Sequence, residues 1–136
     1  MNSYQSNGSR RVESYSAFPL VLLCDDDDRD RSRMERLLGR HGFRVHSTNS
    51  VAASEQVLKQ WQVAAVVADL RLGLGKPDGL ELLTVAAREQ PGAARVLVTA
   101  DPAGAEFAKQ ADGVWIDKSG DTAITLVEVL RSALGS

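Results

Sequence analysis

Residues 20–28 read LVLLCDDDD and residues 63–69 read VAAVVAD. Each is an apolar run of strand length that stops on aspartate. Runs with no polar alternation suit strands buried on both faces, as parallel strands under covering helices are. Two such strands ending on acids place carboxylates at the same end of one sheet, and the fold and the chemistry both follow from that placement.

Working outward, short runs rich in Val and Leu alternate with amphipathic stretches of helical length, which predicts a βα repeat and a parallel sheet. The first strand is Leu20–Cys24. A helix runs from about Arg29 to Arg40 with Met34, Leu37 and Leu38 on one face, and His41-Gly42 ends it. Strand two is Phe43–Ser47, and Ser50 caps a helix through Gln60. Strand three is Val63–Ala68. After a loop, a helix from Gly79 to about Glu89 turns Leu80, Leu83 and Ala87 inward and closes at Pro91-Gly92. Strand four is Arg95–Val98, a short helix spans about Ala103 to Gln110, and strand five is Val114–Ile116. Thr122 caps a last helix whose Ile124, Val127, Leu130 and Leu134 make a stripe. The expected fold is α/β, a single doubly wound domain with a five-stranded parallel sheet of order 2-1-3-4-5, helices on both faces and a short fourth helix. Residues 1–19, rich in Ser and Asn and ending in Pro19, read as a flexible leader, and residues 20–136 as the domain. No segment follows the last helix, so no output domain is expected.

Composition narrows the function. A chain of 136 residues with 43% hydrophobic content can bury one core and not two. Sixteen basic residues against 18 acidic ones give no cationic field for nucleic acid. The single cysteine, Cys24, forms no internal disulfide and reads as core on a buried strand, which fits a reducing cytoplasmic setting. The Leu20–Cys24 run is far too short for a membrane span or signal core. A soluble, cytoplasmic protein with neither nucleic acid nor membrane as partner is expected.

The polar residues at the carboxyl ends of the strands carry the chemistry. Asp25 and Asp26 follow strand one, Asp69 strand three, Thr99 strand four and Lys118 strand five. Ligands of such sheets bind outside the carboxyl ends at the switch point, here between strands one and three. Three carboxylates meeting there repel one another unless a cation shares them, and Mg²⁺ takes such oxygen donors. Lys118 and Thr99 would complete a clamp for a phosphoryl group, and Asp69 could then serve as a carboxylate nucleophile.

LVLLCDDDD, the acid in VVADLRL followed by PDGLELL, the VLVTA strand and the WIDKS ending together resemble the receiver domain of bacterial two-component response regulators, over about Leu20 to Leu134. The resemblance implies Asp69 as phosphoacceptor, Asp26 and Asp69 as direct Mg²⁺ ligands, Asp25 bound through water, and Arg71 lending its main-chain carbonyl. It implies phosphoryl contacts from Thr99 and Lys118, and a switch in which Trp115 turns with Thr99. It also implies a histidine kinase or histidine phosphotransfer protein as donor and an unknown downstream protein as target. By the same analogy Arg71 and Asp101 lie at the mouth of the site and pair across it. The expected output surface is the strand-five and last-helix face near Trp115, gated by order in residues 101–113.

Several positions depart from the family. Gly73 stands where a proline is usual, and LGKP lengthens the loop before Asp78-Gly79. Ser119 replaces the proline after the lysine, a residue that often follows a cis bond, and the Thr99 to Lys118 stretch is short. DLRL around Asp69 also resembles receivers attached to hybrid histidine kinases.

Plainer readings stand beside these. Asp25 to Asp28 could be an acidic helix start, with Asp28 the residue assigned to capping and Asp27 unassigned. His41 and His46 are too isolated for a metal or relay role. Two other functions compete with a switch that is not an enzyme: a pseudo-receiver that keeps the fold without phosphorylation, and a small phosphatase in which Asp25, paired with Asp27, is the nucleophile.

Overall fold

The computed structural model describes residues 18–72, 76 and 78–135. Five parallel strands, β1 (Leu20–Cys24), β2 (Arg44–Thr48), β3 (Ala65–Asp69), β4 (Ala94–Thr99) and β5 (Val114–Asp117), form one sheet in the order β2-β1-β3-β4-β5. Five helices alternate with them: α1 (Asp28–Arg40), α2 (Val51–Gln60), α3 (Asp78–Glu89), α4 (Gly104–Gln110) and α5 (Thr122–Ala133). This is the doubly wound α/β fold expected from the alternation. Among the described residues no helix is long and apolar enough to cross a membrane.

The central strands point side chains to both faces, and each face has its own core. Leu22, Val66, Ala68 and Leu97 meet Val57, Leu58, Leu82, Leu83, Ala86 and Ala108 on the α2, α3 and α4 side. Val21, Leu23, Val67, Val96, Val98 and Ile116 meet Leu38, Leu126, Val127 and Leu130 on the α1 and α5 side. Every side chain of β1 is buried, which is why that segment carries no alternation.

Several local expectations need correction. Strand β3 starts at Ala65, two residues later than expected, and takes in Asp69. On α3 the buried set is Leu82, Leu83 and Ala86, while Leu80 and Ala87 are only partly covered. On α5 Leu126, Val127 and Leu130 are buried and Ile124 is 56% exposed. Both helices offer more than one apolar stripe, and the sheet surface selects the phase. Thr122 is the first residue of α5 and Asp121 its cap. Asp27, not Asp28, caps α1, its side chain accepting from the Asp30 N–H at 2.9 Å; Asp28 instead pairs with Arg31 at 2.6 Å. Ser50 caps α2 as expected, accepting from the Ala53 N–H at 3.1 Å.

Most of the leader, residues 1–17, lies outside the described residues, as does Gly73. The leader's last two residues are tied down: the Arg44 side chain donates to the Phe18 carbonyl at 3.3 Å and its main-chain N–H to Pro19 at 2.9 Å. No cis peptide bond occurs among the described residues. Ser119 holds its loop by donating from both its N–H and its hydroxyl to Asp117 Oδ1, at 3.0 and 2.7 Å.

Candidate functional site

The carboxyl ends of β1 and β3 are neighbours in the sheet, Cys24 standing opposite Ala68. The acids that follow therefore converge. One oxygen from each of Asp25, Asp26 and Asp69 lies within 4.8 Å of the other two. Asp25 is the buried member, and several bonds fix it: its N–H donates to Thr48 at 3.1 Å, its Oδ1 accepts from the Asp27 N–H at 2.9 Å, and its carbonyl accepts from Arg31 at 2.8 Å.

Burial pushes the Asp25 carboxyl up to about 6, with the Asp69 charge adding to the rise and the Asp27 amide and Lys118 opposing it. Burial raises Asp69 as well, against the pull of Lys118. Three carboxylate oxygens this close repel one another unless a cation shares them. The set is all carboxylate, with no sulfur or nitrogen donor, and so fits a hard divalent ion of the Mg²⁺ kind.

Lys118 closes the other side. Its Nζ lies 3.1 Å from Asp69 Oδ2, and its main-chain N–H bonds the Thr99 carbonyl at 3.0 Å, which carries the side chain to the end of β4. Burial works against its charge, but Asp69, Asp25 and Asp30 together hold the ammonium above the usual lysine value. Thr99 is buried, and its Oγ1 accepts from the Asp101 N–H at 3.1 Å. Its hydroxyl hydrogen remains available to a further acceptor.

Gly79 explains the Asp78-Gly79 pair. A Cβ there would lie 1.9 Å from the Asp69 carbonyl oxygen, because α3 begins directly against the end of β3 and its N–H bonds Leu70 at 2.9 Å. Arg71 and Asp101 pair at 2.8 Å, as the sequence led us to expect. Asp101 also accepts from the Ala103 N–H at 2.8 Å, and that bond and then Arg71 hold its carboxyl below the usual range. Trp115 faces α4 and not α5: it packs with the core that holds Ala108 and Ala111, and a Cβ on Gly104 would sit 2.2 Å from its Nε1.

The structure adds residues that the sequence reading passed over. Asp30, in the first turn of α1, lies with Oδ2 3.7 Å from Lys118 Nζ. Behind Cys24, Thr48 and Ser54 share a buried hydroxyl bond of 2.6 Å. Asp27 Oδ1 accepts from the helix N–H of Asp30 at 2.9 Å. Cys24 is fully buried and its thiol is raised by that burial, as befits a core residue. His41 lies at the end of α1 and His46 is exposed on the edge strand, both far along the chain from the acids.

Comparison with known proteins agrees with this geometry. Residues 21–114 match the family of the response regulator receiver domain. The photosynthetic apparatus regulatory protein RegA of Rhodobacter capsulatus is 32% identical over 79 residues, 58% of this chain and 42% of RegA, and that of Rhodovulum sulfidophilum is 31% identical over 81 residues, 60% and 43%. The matched region thus spans about two fifths of these relatives. Among solved structures, a response regulator receiver protein from Sinorhizobium medicae superposes with a TM-score of 0.78 at 24% identity, covering 88% of this chain and 97% of that one. The chemotaxis response regulator CheY4 of Vibrio cholerae gives 0.75 at 16%, covering 87% and 100%. The receiver domain of the sensor histidine kinase PA1611 from Pseudomonas aeruginosa, solved with a magnesium ion in its active site cleft, gives 0.75 at 21%, covering 88% and 100%. These structural likenesses speak to the fold. The family match takes in β1 to the start of β5, with the three converging acids inside it, and on that match the chain belongs to the response regulator receiver domain family.

Proposed function

We propose that this chain is a phosphoacceptor switch in a two-component or phosphorelay system, taking a phosphoryl group on Asp69 from a phosphohistidine of a histidine kinase or phosphotransfer protein. The observation that carries the reading is the meeting of three carboxylate oxygens within 4.8 Å with an ammonium 3.1 Å from one of them, at the switch point of the sheet. Asp25, Asp26 and Asp69 would hold Mg²⁺, with the Arg71 carbonyl as a further ligand by resemblance to the family; the magnesium in the PA1611 receiver domain supports this assignment. When bound there, Mg²⁺ supplies charge neutralisation to the carboxylates and to the phosphoryl oxygens.

The residues then divide the work. An Asp69 carboxylate oxygen attacks phosphorus, the P–N bond to the donor imidazole breaks, and its electron pair leaves on the ring nitrogen. The product is a mixed anhydride at Asp69. Lys118 moves from the carboxylate to a phosphoryl oxygen close by, and the Thr99 hydroxyl donates to another while still accepting from Asp101. The protein turns over no substrate of its own; its product is a changed surface for a downstream partner.

Incubation with acetyl phosphate and Mg²⁺, followed by intact mass spectrometry, tests the reading. One base-labile phosphoryl group should appear on the wild type and none on Asp69→Asn. Equal labelling of the two would overturn it, and loss of steady phosphate ester turnover in Asp25→Asn would install the phosphatase reading in its place.

A further inference from the structure

We propose that Asp30 is a positioning residue for Lys118, a second anchor that holds the ammonium beside the acceptor in readiness for the phosphoryl group. Lys118 Nζ lies between two carboxylates, 3.1 Å from Asp69 and 3.7 Å from Asp30. Asp30 is itself held from two directions: its N–H donates to the capping carboxylate of Asp27 at 2.9 Å, and its Oδ1 accepts from Arg33 at 3.1 Å, leaving Oδ2 toward the lysine. Both Asp30 and Lys118 have side chains 32% exposed, so the contact is shielded on one side and wet on the other.

This arrangement matters because a lysine is a flexible stem with a strongly hydrated head. When Asp69 takes up a phosphoryl group, one of its oxygens enters a covalent bond and its hold on the ammonium weakens. A lysine anchored only on Asp69 is then free to swing to solvent. Asp30 keeps the head within reach on the α1 side, so that little ordering is left to be done as charge develops on the phosphoryl oxygens. Asp30 also places a negative charge at the mouth, which opposes an anionic donor. Removing it therefore has two effects of opposite kind, a lower maximum rate from lost positioning and tighter donor binding from lost repulsion.

The inference rests on Asp69 being the acceptor, and the experiment separates the two. Phosphorylation of the full chain by acetyl phosphate with Mg²⁺ is followed as a function of donor concentration for wild type, Asp30→Asn and Asp30→Glu. Asp30→Asn should lower the maximum rate about fivefold, the scale of one partly exposed ion pair, while also lowering the half-saturating donor concentration. Asp30→Glu should recover most of the maximum rate. A wild type that takes up no phosphoryl group removes both readings. A wild type that is labelled, with an Asp30→Asn maximum rate equal to it, overturns the inference alone. A readout independent of phosphorylation is the ¹⁵N signal of the Lys118 ammonium, which should broaden in Asp30→Asn; an unchanged signal also overturns it.

Discussion

The indole N–H of Trp115 donates to the main-chain carbonyl of Thr99 at 2.9 Å. The two residues expected to form a switch are thus joined through the backbone of one and the ring of the other, and the ring rests on the bare Cα of Gly104. Any outward swing of Trp115 must give up that bond and the packing against α4. Adding a methyl at Gly104 forces the swing, since a Cβ would lie 2.2 Å from Nε1 and 2.4 Å from Cε2. Gly104→Ala in a Trp61→Phe background should shift Trp115 emission to the red and destabilise the fold by about 1–3 kcal/mol, the cost of overpacking. Unshifted emission would mean that the ring can be seated elsewhere without loss.

Gly79 makes a stricter demand. The atom facing its missing Cβ is the Asp69 carbonyl oxygen at 1.9 Å, backbone against backbone, with Leu70 Cα also within 2.9 Å. No rotamer change relieves it. Gly79→Ala should cost on the order of 3 kcal/mol or more in urea unfolding, and the Mg²⁺-dependent rise in melting temperature should shrink because the acceptor is displaced. A variant of wild-type stability would show that α3 can slide away from β3 freely.

The sheet order and the converging acids were legible because they depend on local signals. A strand buried on both faces shows as an unbroken apolar run, and the residue that ends it must lie at its carboxyl edge; Asp25 and Asp69 each end such a run, while Lys118 follows Asp117 just past the largely exposed β5. The phases of α3 and α5 were not legible, since LELL and ITLV each offer two stripes and only the sheet decides that Leu82 and Leu126 go inward. Asp30 was hidden for a different reason: its meaning comes from Lys118, 88 positions later in the chain, and alone it is one more acid in a charged helix start. The N-cap role of Asp27 was nearer to hand, since acceptance by a side chain from the N–H three residues on is a local pattern; four aspartates in a row blurred which one begins the helix.

Burial of Asp25 gives the metal-free protein a pH dependence of known sign. A folded value of about 6 lies above the ordinary carboxyl value of 3.8. The fold therefore binds the Asp25 proton more tightly than the unfolded chain does. Stability from this group is fully present below about pH 4 and is lost as pH rises through about 6, an effect of about 3 kcal/mol when complete. Asp27, Asp101 and Asp117 are shifted the other way and act below pH 4, so they leave the range from 5 to 7 to the buried acids. In EDTA the urea midpoint should fall between pH 5 and 7; Asp25→Asn should flatten the fall, and saturating Mg²⁺ should abolish it. A flat wild-type profile in EDTA would show that Asp25 is solvated.

The Arg71–Asp101 pair bridges the loop after β3 and the loop after β4 at 2.8 Å, at the same carboxyl end of the sheet as Asp69. Both side chains are partly exposed, 44% and 24%, so screening leaves the pair little to contribute to stability. Its effect should instead be kinetic, by narrowing the approach to the acyl phosphate. Asp101→Asn is the informative change. It keeps an acceptor for the Ala103 N–H, and so the turn into α4, while removing the charge that holds Arg71. With Arg71→Ala, it should shorten the lifetime of phosphorylated Asp69 by roughly two- to fivefold, a modest barrier change of the size a gate of this kind can supply. The double variant should be no faster than either single one, because both remove the same bridge. Melting temperatures should stay unchanged throughout. If lifetimes of the singles equal wild type, or if the double variant is the product of two independent effects, the pair is a surface contact and water reaches Asp69 by another path.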